Sequence, residues 1–222
     1  MMSKALLIRL CSLFSLIVVG VLSAASPASA ALQKFVYQVR HSTYGSIGTY
    51  TNSVETSGDK TTVTTEGRIR VALLGIVLYR QDFDRVEHWM GERLMSFQGM
   101  TTTNGRSTEV KGEAEGDRFA VNSPNGSFTA PGDVKPANPW SDVVLMGATM
   151  MTPDRGLLED VTIHPAEMTE LPINGSTVRA RRYEIQRLSG EKRYEIWIDD
   201  EGTTVMFNVN TRRGLVTFTL TS

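Results

Sequence analysis

Residues 193–220 read RYEIWIDDEGTTVMFNVNTRRGLVTFTL and carry the clearest pattern in the chain. Tyr194, Ile196 and Ile198 alternate with Arg193, Glu195 and Asp199. Val205, Phe207 and Val209 alternate in the same way with Thr204, Asn208 and Asn210, and Val216, Phe218 and Leu220 follow. A period of two places apolar side chains on one face of a strand and polar ones on the other. Asp200-Glu201-Gly202 and Arg213-Gly214 divide the runs with turn residues. The stretch predicts a three-stranded antiparallel meander that is buried on one face and wet on the other.

The same punctuation continues toward the N-terminus, at Ser57-Gly58-Asp59, Asn104-Gly105, Glu115-Gly116-Asp117, Asn125-Gly126, Asn174-Gly175 and Ser189-Gly190. Asn-Gly tolerates the positive φ of a type I′ turn, so Asn104-Gly105 and Asn174-Gly175, flanked by β-rich segments, are read as hairpins. The spacing gives about eleven to thirteen strands and leaves no room for parallel crossovers. A sheet this wide curls or closes. The expected fold is all-β with one covering helix: a single, strongly curved antiparallel sheet, half-barrel or barrel, over residues 31–222.

Two segments break the alternation. Residues 71–79, Val-Ala-Leu-Leu-Gly-Ile-Val-Leu-Tyr, hold no charge, so a strand there is apolar on both faces and needs cover on each. Asn138-Pro139-Trp140-Ser141-Asp142 reads as a helix start, with Asn138 as cap, Pro139 in the first turn and Asp142 at the positive end of the dipole. That helix runs to about Met151 before Pro153, with Trp140, Val144 and Met151 on one stripe beside Val143, Met146 and Met150. On the concave face of a curved sheet it either plugs the core or roofs a cavity, where unbranched methionines re-pack around apolar ligands.

The chain has 222 residues, 41% of them hydrophobic, with 23 basic residues against 24 acidic. No basic face is available for a phosphate backbone, so nucleic acid is not an expected partner. Lys4 and Arg9, an apolar run over residues 13–22 and Ala28-Ser29-Ala30 form a signal peptide with cleavage expected after Ala30. The mature chain, residues 31–222, then loses two basic residues and the only cysteine, Cys11, which leaves 21 basic against 24 acidic and a net charge of −3. A periplasmic or secreted location is expected. Without disulfides, such a chain is held together by core packing.

Catalytic signatures are sparse. His41, His88 and His164 stand in no metal-binding spacing, and no Gly-x-Ser-x-Gly elbow occurs. No cofactor or metal is expected. Glu87 and His88 are an adjacent acid and base, but neighbouring strand residues point to opposite faces. Arg179, Arg181, Arg182 and Arg187 offer guanidinium groups that suit an anionic head group, or else pair with Glu184, Glu191 or Glu195.

Leu78-Tyr79-Arg80, Glu87-His88-Trp89, Gly91-Glu92-Arg93-Leu94 and Thr101-Thr102-Thr103-Asn104-Gly105 together resemble a family of secreted bacterial proteins carrying a domain of unknown function. That family shows a tyrosine strand, a Glu-x-Trp, a Gly and Leu turn and a Thr-x-x-Asn-Gly hairpin. The resemblance extends to residues 35–48 and to Pro139-Trp140-Ser141. It implies no activity. More distantly, the layout is similar to periplasmic lipoprotein-localisation carriers, in which a half-barrel and covering helices enclose an apolar cavity; fold alone does not carry function across.

Three functions fit these features. The favoured one is binding of a lipid-like or other hydrophobic ligand between sheet and helix, lined by Trp140, Val144, Met146, Met150, Met151, Leu74 and Leu78. The second is an envelope interaction module with a solid core and a protein partner. The third is an enzyme, for which Glu87 and His88 are the candidates. The favoured reading is not catalytic.

Overall fold

The computed structural model describes residues 31–190 and 193–222; the signal segment with its cleavage site after Ala30, and Glu191, lie outside the described residues. Fifteen strands form one sheet: β1 (Ala31–His41), β2 (Gly45–Ser57), β3 (Lys60–Leu73), β4 (Ile76–Met90), β5 (Arg93–Thr103), β6 (Arg106–Glu115), β7 (Arg118–Ser123), β8 (Gly126–Pro131), β9 (Lys135–Pro136), β10 (Thr149–Met151), β11 (Leu158–Ile173), β12 (Ser176–Arg187), β13 (Arg193–Asp199), β14 (Thr204–Thr211) and β15 (Gly214–Leu220). Their order is β8-β7-β6-β5-β4-β3-β2-β1-β15-β14-β13-β12-β11-β10-β9. Every pairing is antiparallel except β9 with β10. Two meanders therefore start from the central β1–β15 pair and run outward to opposite edges.

Those edges are consecutive in sequence. Only residues 132–134 separate β8 from β9, so the two edges lie at most about 14 Å apart although they share no ladder. The sheet must curl nearly full circle to bring them together. On the far side of the seam Asp154 and Arg155, between β10 and β11, accept hydrogen bonds from Thr108 of β6 (3.0 Å) and Asn125 Nδ2 (2.7 Å).

The hairpin expectations hold: Asn104-Gly105 and Asn174-Gly175 take positive φ at both residues and join β5 to β6 and β11 to β12. The strand count is higher than expected: the two-residue β9 lies just before the stretch read as helix and the three-residue β10 within it. The covering helix is absent. One short 3₁₀ turn, Asp142–Met146, stands in its place, capped by Ser141, whose Oγ accepts from Val143 N at 3.2 Å. Asn138 cannot cap, because its side chain is committed to the sheet. Gly147 is extended (φ −110°, ψ 141°), and Met150 and Met151 then pair with β9 and β11. The β-branched Val143, Val144 and Thr149 favour this outcome over a helix. Among the described residues no helix is long and apolar enough to cross a membrane.

Two further expectations change. Residues 71–79 are not one strand covered on both faces: Leu74 (φ 50°) and Gly75 (φ 83°) form a two-residue turn between β3 and β4. Val205 does not share a face with Phe207. Trp197 pairs with Met206 but Ile198 with Thr204, so Val205 is bulged out of register. It joins Trp197, Ile173 and Ala180 in a small outer cluster, whereas Phe207 faces the main core.

The interior is packed against glycine where aromatic rings need room. Gly67 of β3 lies opposite Phe83 of β4, whose ring fills the space a Cβ would occupy. Gly67→Val is expected to cost about 3 kcal/mol through overpacking, lowering Tm by about 10 °C. Thermal unfolding checks this, and combining Gly67→Ala with Phe83→Leu should recover most of the stability.

Candidate functional site

The residues expected to line one cavity are dispersed. Val144 and Met150 border a void of about 60 Å³ with Ile185, Ile196 and Phe207, room for about two water molecules and not for an acyl chain. Met151 is fully buried in a second cluster with Leu94, Phe97 and Phe119. Trp140 packs edge-on against Trp89, centroids 5.7 Å apart. Met146 is half exposed beside Met90 and Lys135 at one end of the barrel, whereas Leu74 and Leu78 stand at the other. Residues 134–151 fill the barrel rather than roof it. Three of the four arginines of β12 are taken up in ion pairs, Arg182 with Glu195 (3.1 Å), Arg187 with Glu159 (2.9 Å) and Arg179 with Asp200 (3.4 Å), while Arg181 is exposed.

A polar cluster unforeseen in the sequence lies behind this filling segment. Phe83, Arg85, Glu87 and Trp89 share the inward face of β4, so two charged residues occupy core positions, and His88 points outward as expected. Glu87 is completely buried. Its Oε2 accepts from Trp89 Nε1 (3.0 Å) and its Oε1 from Asn138 Nδ2 (2.7 Å). Asn138 Nδ2 also reaches Thr65 Oγ1 (3.0 Å), which donates to Asn52 Oδ1 (2.8 Å), and Tyr50 donates its hydroxyl proton to Asn138 Oδ1. Asn138 therefore ties the filling segment to β2, β3 and β4. The Arg85 guanidinium rests 4.0 Å from the centre of the Phe83 ring, and burial lowers its pKa. Burial pushes the Glu87 carboxyl up to about 7, against the pull of the Asn138 and Trp89 hydrogen bonds and of Arg85. Trp140 Nε1 is near enough to act in the same direction but closes no hydrogen bond of normal geometry. The signal for this cluster was present in Arg85-x-Glu87, which falls in phase with Phe83 and Trp89.

A well of about 620 Å³ opens at the end of the barrel where the β1–β2, β3–β4 and β14–β15 turns meet. Ile47, Ile69, Val71, Leu78, Tyr79 and Phe218 form its apolar wall. Phe218 in its floor belongs to a layer of mutually packed rings, Tyr50 with Phe83, Phe207 and Phe218 at centroid separations of 5.5–5.8 Å and Phe207 stacked on Phe218 at 4.1 Å. His41, Gln81, Asn104, Arg212 and Arg213 stand at the polar margin, and no carboxylate is among the described lining residues. A trough of about 790 Å³ over β4–β8 is more polar, with His88, Gln98, Lys111 and Glu113 along it. Among the described residues no group of three or more His, Asp or Glu is placed to hold a metal ion.

An open, nearly closed sheet with an end well defines a β-barrel-like protein. The chain belongs to the family of the domain of unknown function DUF6134, which matches residues 37–221. No curated protein matches the sequence. In fold it is similar to the crystal structure of a beta-barrel-like protein of domain of unknown function DUF1849 from Brucella abortus. The TM-score is 0.61 at 10% identity, with 86% of this chain and 96% of that chain covered. The likeness concerns the fold.

Glu87 gives stability a defined pH dependence. The folded protein holds the Glu87 proton to about pH 7, whereas an unperturbed carboxyl releases it near 4.5. Unfolding in that window releases a proton, so stability falls as pH rises from about 4.5 to about 7 and is level above. Thermal unfolding across this range should show the fall, and Glu87→Gln should flatten it.

Proposed function

We propose that this protein is a non-catalytic binding protein of the cell envelope that seats an amphiphile in its end well, apolar part inward and anionic head at the margin. The single observation behind this reading is the composition of the well. Its walls and floor are aliphatic and aromatic, its margin carries Arg212 and Arg213, and no carboxylate is among its described lining residues. A volume of about 620 Å³ lies within the range of small-ligand sites, which are mostly apolar with a few oriented polar groups. Guanidinium groups suit a carboxylate or phosphate head, which they can bind through two parallel hydrogen bonds. The export signal read at residues 1–30 supports a periplasmic or secreted setting, where free amphiphiles need a carrier or a sensor.

The filling segment sets the length of the guest. With residues 134–151 occupying the interior below the aromatic floor, the well takes a short or folded chain rather than a stretched long one. Dodecyl phosphate and dodecanol, titrated against a fluorescent fatty acid, test the reading. Saturable displacement is expected, with dodecyl phosphate the stronger competitor. Leu78→Asp should weaken both competitors tenfold or more, whereas Arg212→Glu combined with Arg213→Glu should weaken dodecyl phosphate alone. Met146→Asp at the opposite end should change neither. An absence of saturable binding, or equal binding by Leu78→Asp, removes the reading.

A further inference from the structure

The β3–β4 hairpin reaches beyond its neighbours. The last residue of β3 paired with β2 is Ile69, and the last of β4 paired with β5 is Gln81. Arg80 is still held to the β5–β6 turn, its O accepting from Asn104 N at 2.9 Å, and from Val71 opposite Tyr79 to Leu73 opposite Ile76 the two strands pair only with each other. Val71 is still buried in the core, and past it the ribbon runs about 10 Å to the turn at Leu74-Gly75. Its tip carries Leu73, Leu74, Ile76, Val77 and Leu78, all exposed, with Leu74 at 95%. Isolated exposed leucines need no explanation, but contiguous apolar side chains on a projecting element mark an interaction site.

The backbone adds a second observation. Among the described residues three non-glycine residues have positive φ: Asn104, Asn174 and Leu74. The first two are the residue type best suited to that conformation in a two-residue turn. Leu74 occupies the same position against both its backbone preference and its exposure, and such strain clusters at functional elements.

Charge identifies what the tip meets. Alternate connections of an antiparallel meander lie at one end, so the β3–β4 tip shares its end with the β1–β2, β5–β6 and β14–β15 turns, as the bond from Ser42 N to Leu215 O (2.9 Å) confirms for two of them. Arg70, Arg106, Arg212 and Arg213 stand exposed there and form no ion pair among the described residues, while Arg80 is paired with Asp82 and Arg155 with Asp154. Turns at the opposite end are mixed in sign, with Asp59, Glu92, Asp117, Asp200 and Glu201 beside Lys60, Arg93 and Arg118. An apolar tip within a collar of arginines complements the acyl boundary and anionic headgroups of a bilayer. The outer face below the tip carries Arg68, Asp82, Asp84 and His88, so the strands do not themselves form a lipid-facing wall.

We propose that the β3–β4 tip, residues 73–78, inserts into the surface of an anionic phospholipid bilayer, with Arg70, Arg106, Arg212 and Arg213 on the headgroups. The tip and its collar share Leu78, Arg212 and Arg213 with the well, but Leu74 does not line it, so Leu74→Asn tests vesicle binding while leaving the well's lining intact.

Co-sedimentation of the chain from Ala31 onward, which holds every described strand, tests it with phosphatidylcholine vesicles and with vesicles containing phosphatidylglycerol. Binding is expected to the anionic vesicles and to weaken with salt, by ~5-fold for each arginine removed. Leu74→Asn relieves the backbone, so its Tm should be equal or higher while vesicle partitioning falls tenfold or more. Leu74→Trp should shift its fluorescence to the blue on anionic vesicles. No vesicle binding, undiminished binding by Leu74→Asn, or an unshifted tryptophan overturns the proposal. So does self-association abolished by Leu74→Asn without vesicle binding, which would assign the tip to a second copy.

Discussion

The hydrogen bond from Asn138 to Glu87 joins two requirements that the fold cannot meet separately. A sheet whose edge strands are three residues apart in sequence has to curl, and a curled sheet of fifteen strands encloses more space than its own inward side chains fill. The chain fills the space with its own residues 134–151. Glu87, in turn, is a carboxyl without solvent, which is tolerable only if donors reach it. The filling segment supplies one donor from Asn138, and β4 supplies the other from Trp89 two residues along. Truncating Asn138 would therefore strand a buried acid as well as release the segment, a combination costing several kcal/mol on the scale of other broken buried networks.

The interior is layered as a result. The filling segment and Glu87 cluster lie toward one end, the rings of Tyr50, Phe83, Phe207 and Phe218 form the middle, and the well occupies the other end. Tyr50 belongs to two layers at once, with its ring packed on Phe218 and its hydroxyl bonded to Asn138. A rigid floor follows from this, because the tyrosine cannot tilt toward the well without giving up a buried hydrogen bond.

Much of this fold was legible as local pattern. Alternation in residues 193–220 and the Asn-Gly turns describe hairpins, and hairpin formation depends on neighbours in sequence. What the pattern could not convey was non-local. Asn138 has the sequence setting of a helix cap, and only the arrival of Glu87, Thr65 and Tyr50 from three strands takes its side chain away. Val205 alternates perfectly with Phe207 in sequence, but a one-residue bulge opposite Trp197 reverses its direction. Arg85 and Glu87 were visible as charges in core phase, yet their partners come from elsewhere in the chain. The dispersed placement of Trp140, Val144, Met146, Met150 and Met151 has the same origin, since their shared stripe existed only on a helix that never forms.

Residues 71–79 show how a correct observation can lead to a wrong structure. An uncharged run demands apolar surroundings, and within a globular protein those are supplied by a core. Here the turn at Leu74-Gly75 folds the run back on itself, and the rim ends below it, so no part of the described chain covers the tip. Leucine in place of asparagine at a left-handed position costs about 1 kcal/mol, and its exposure adds nothing to stability. The same position in the two Asn-Gly turns is filled in the way the backbone prefers. The departure at Leu74 therefore finds its explanation outside the folded chain, on the side of the molecule where the well opens and the arginines gather.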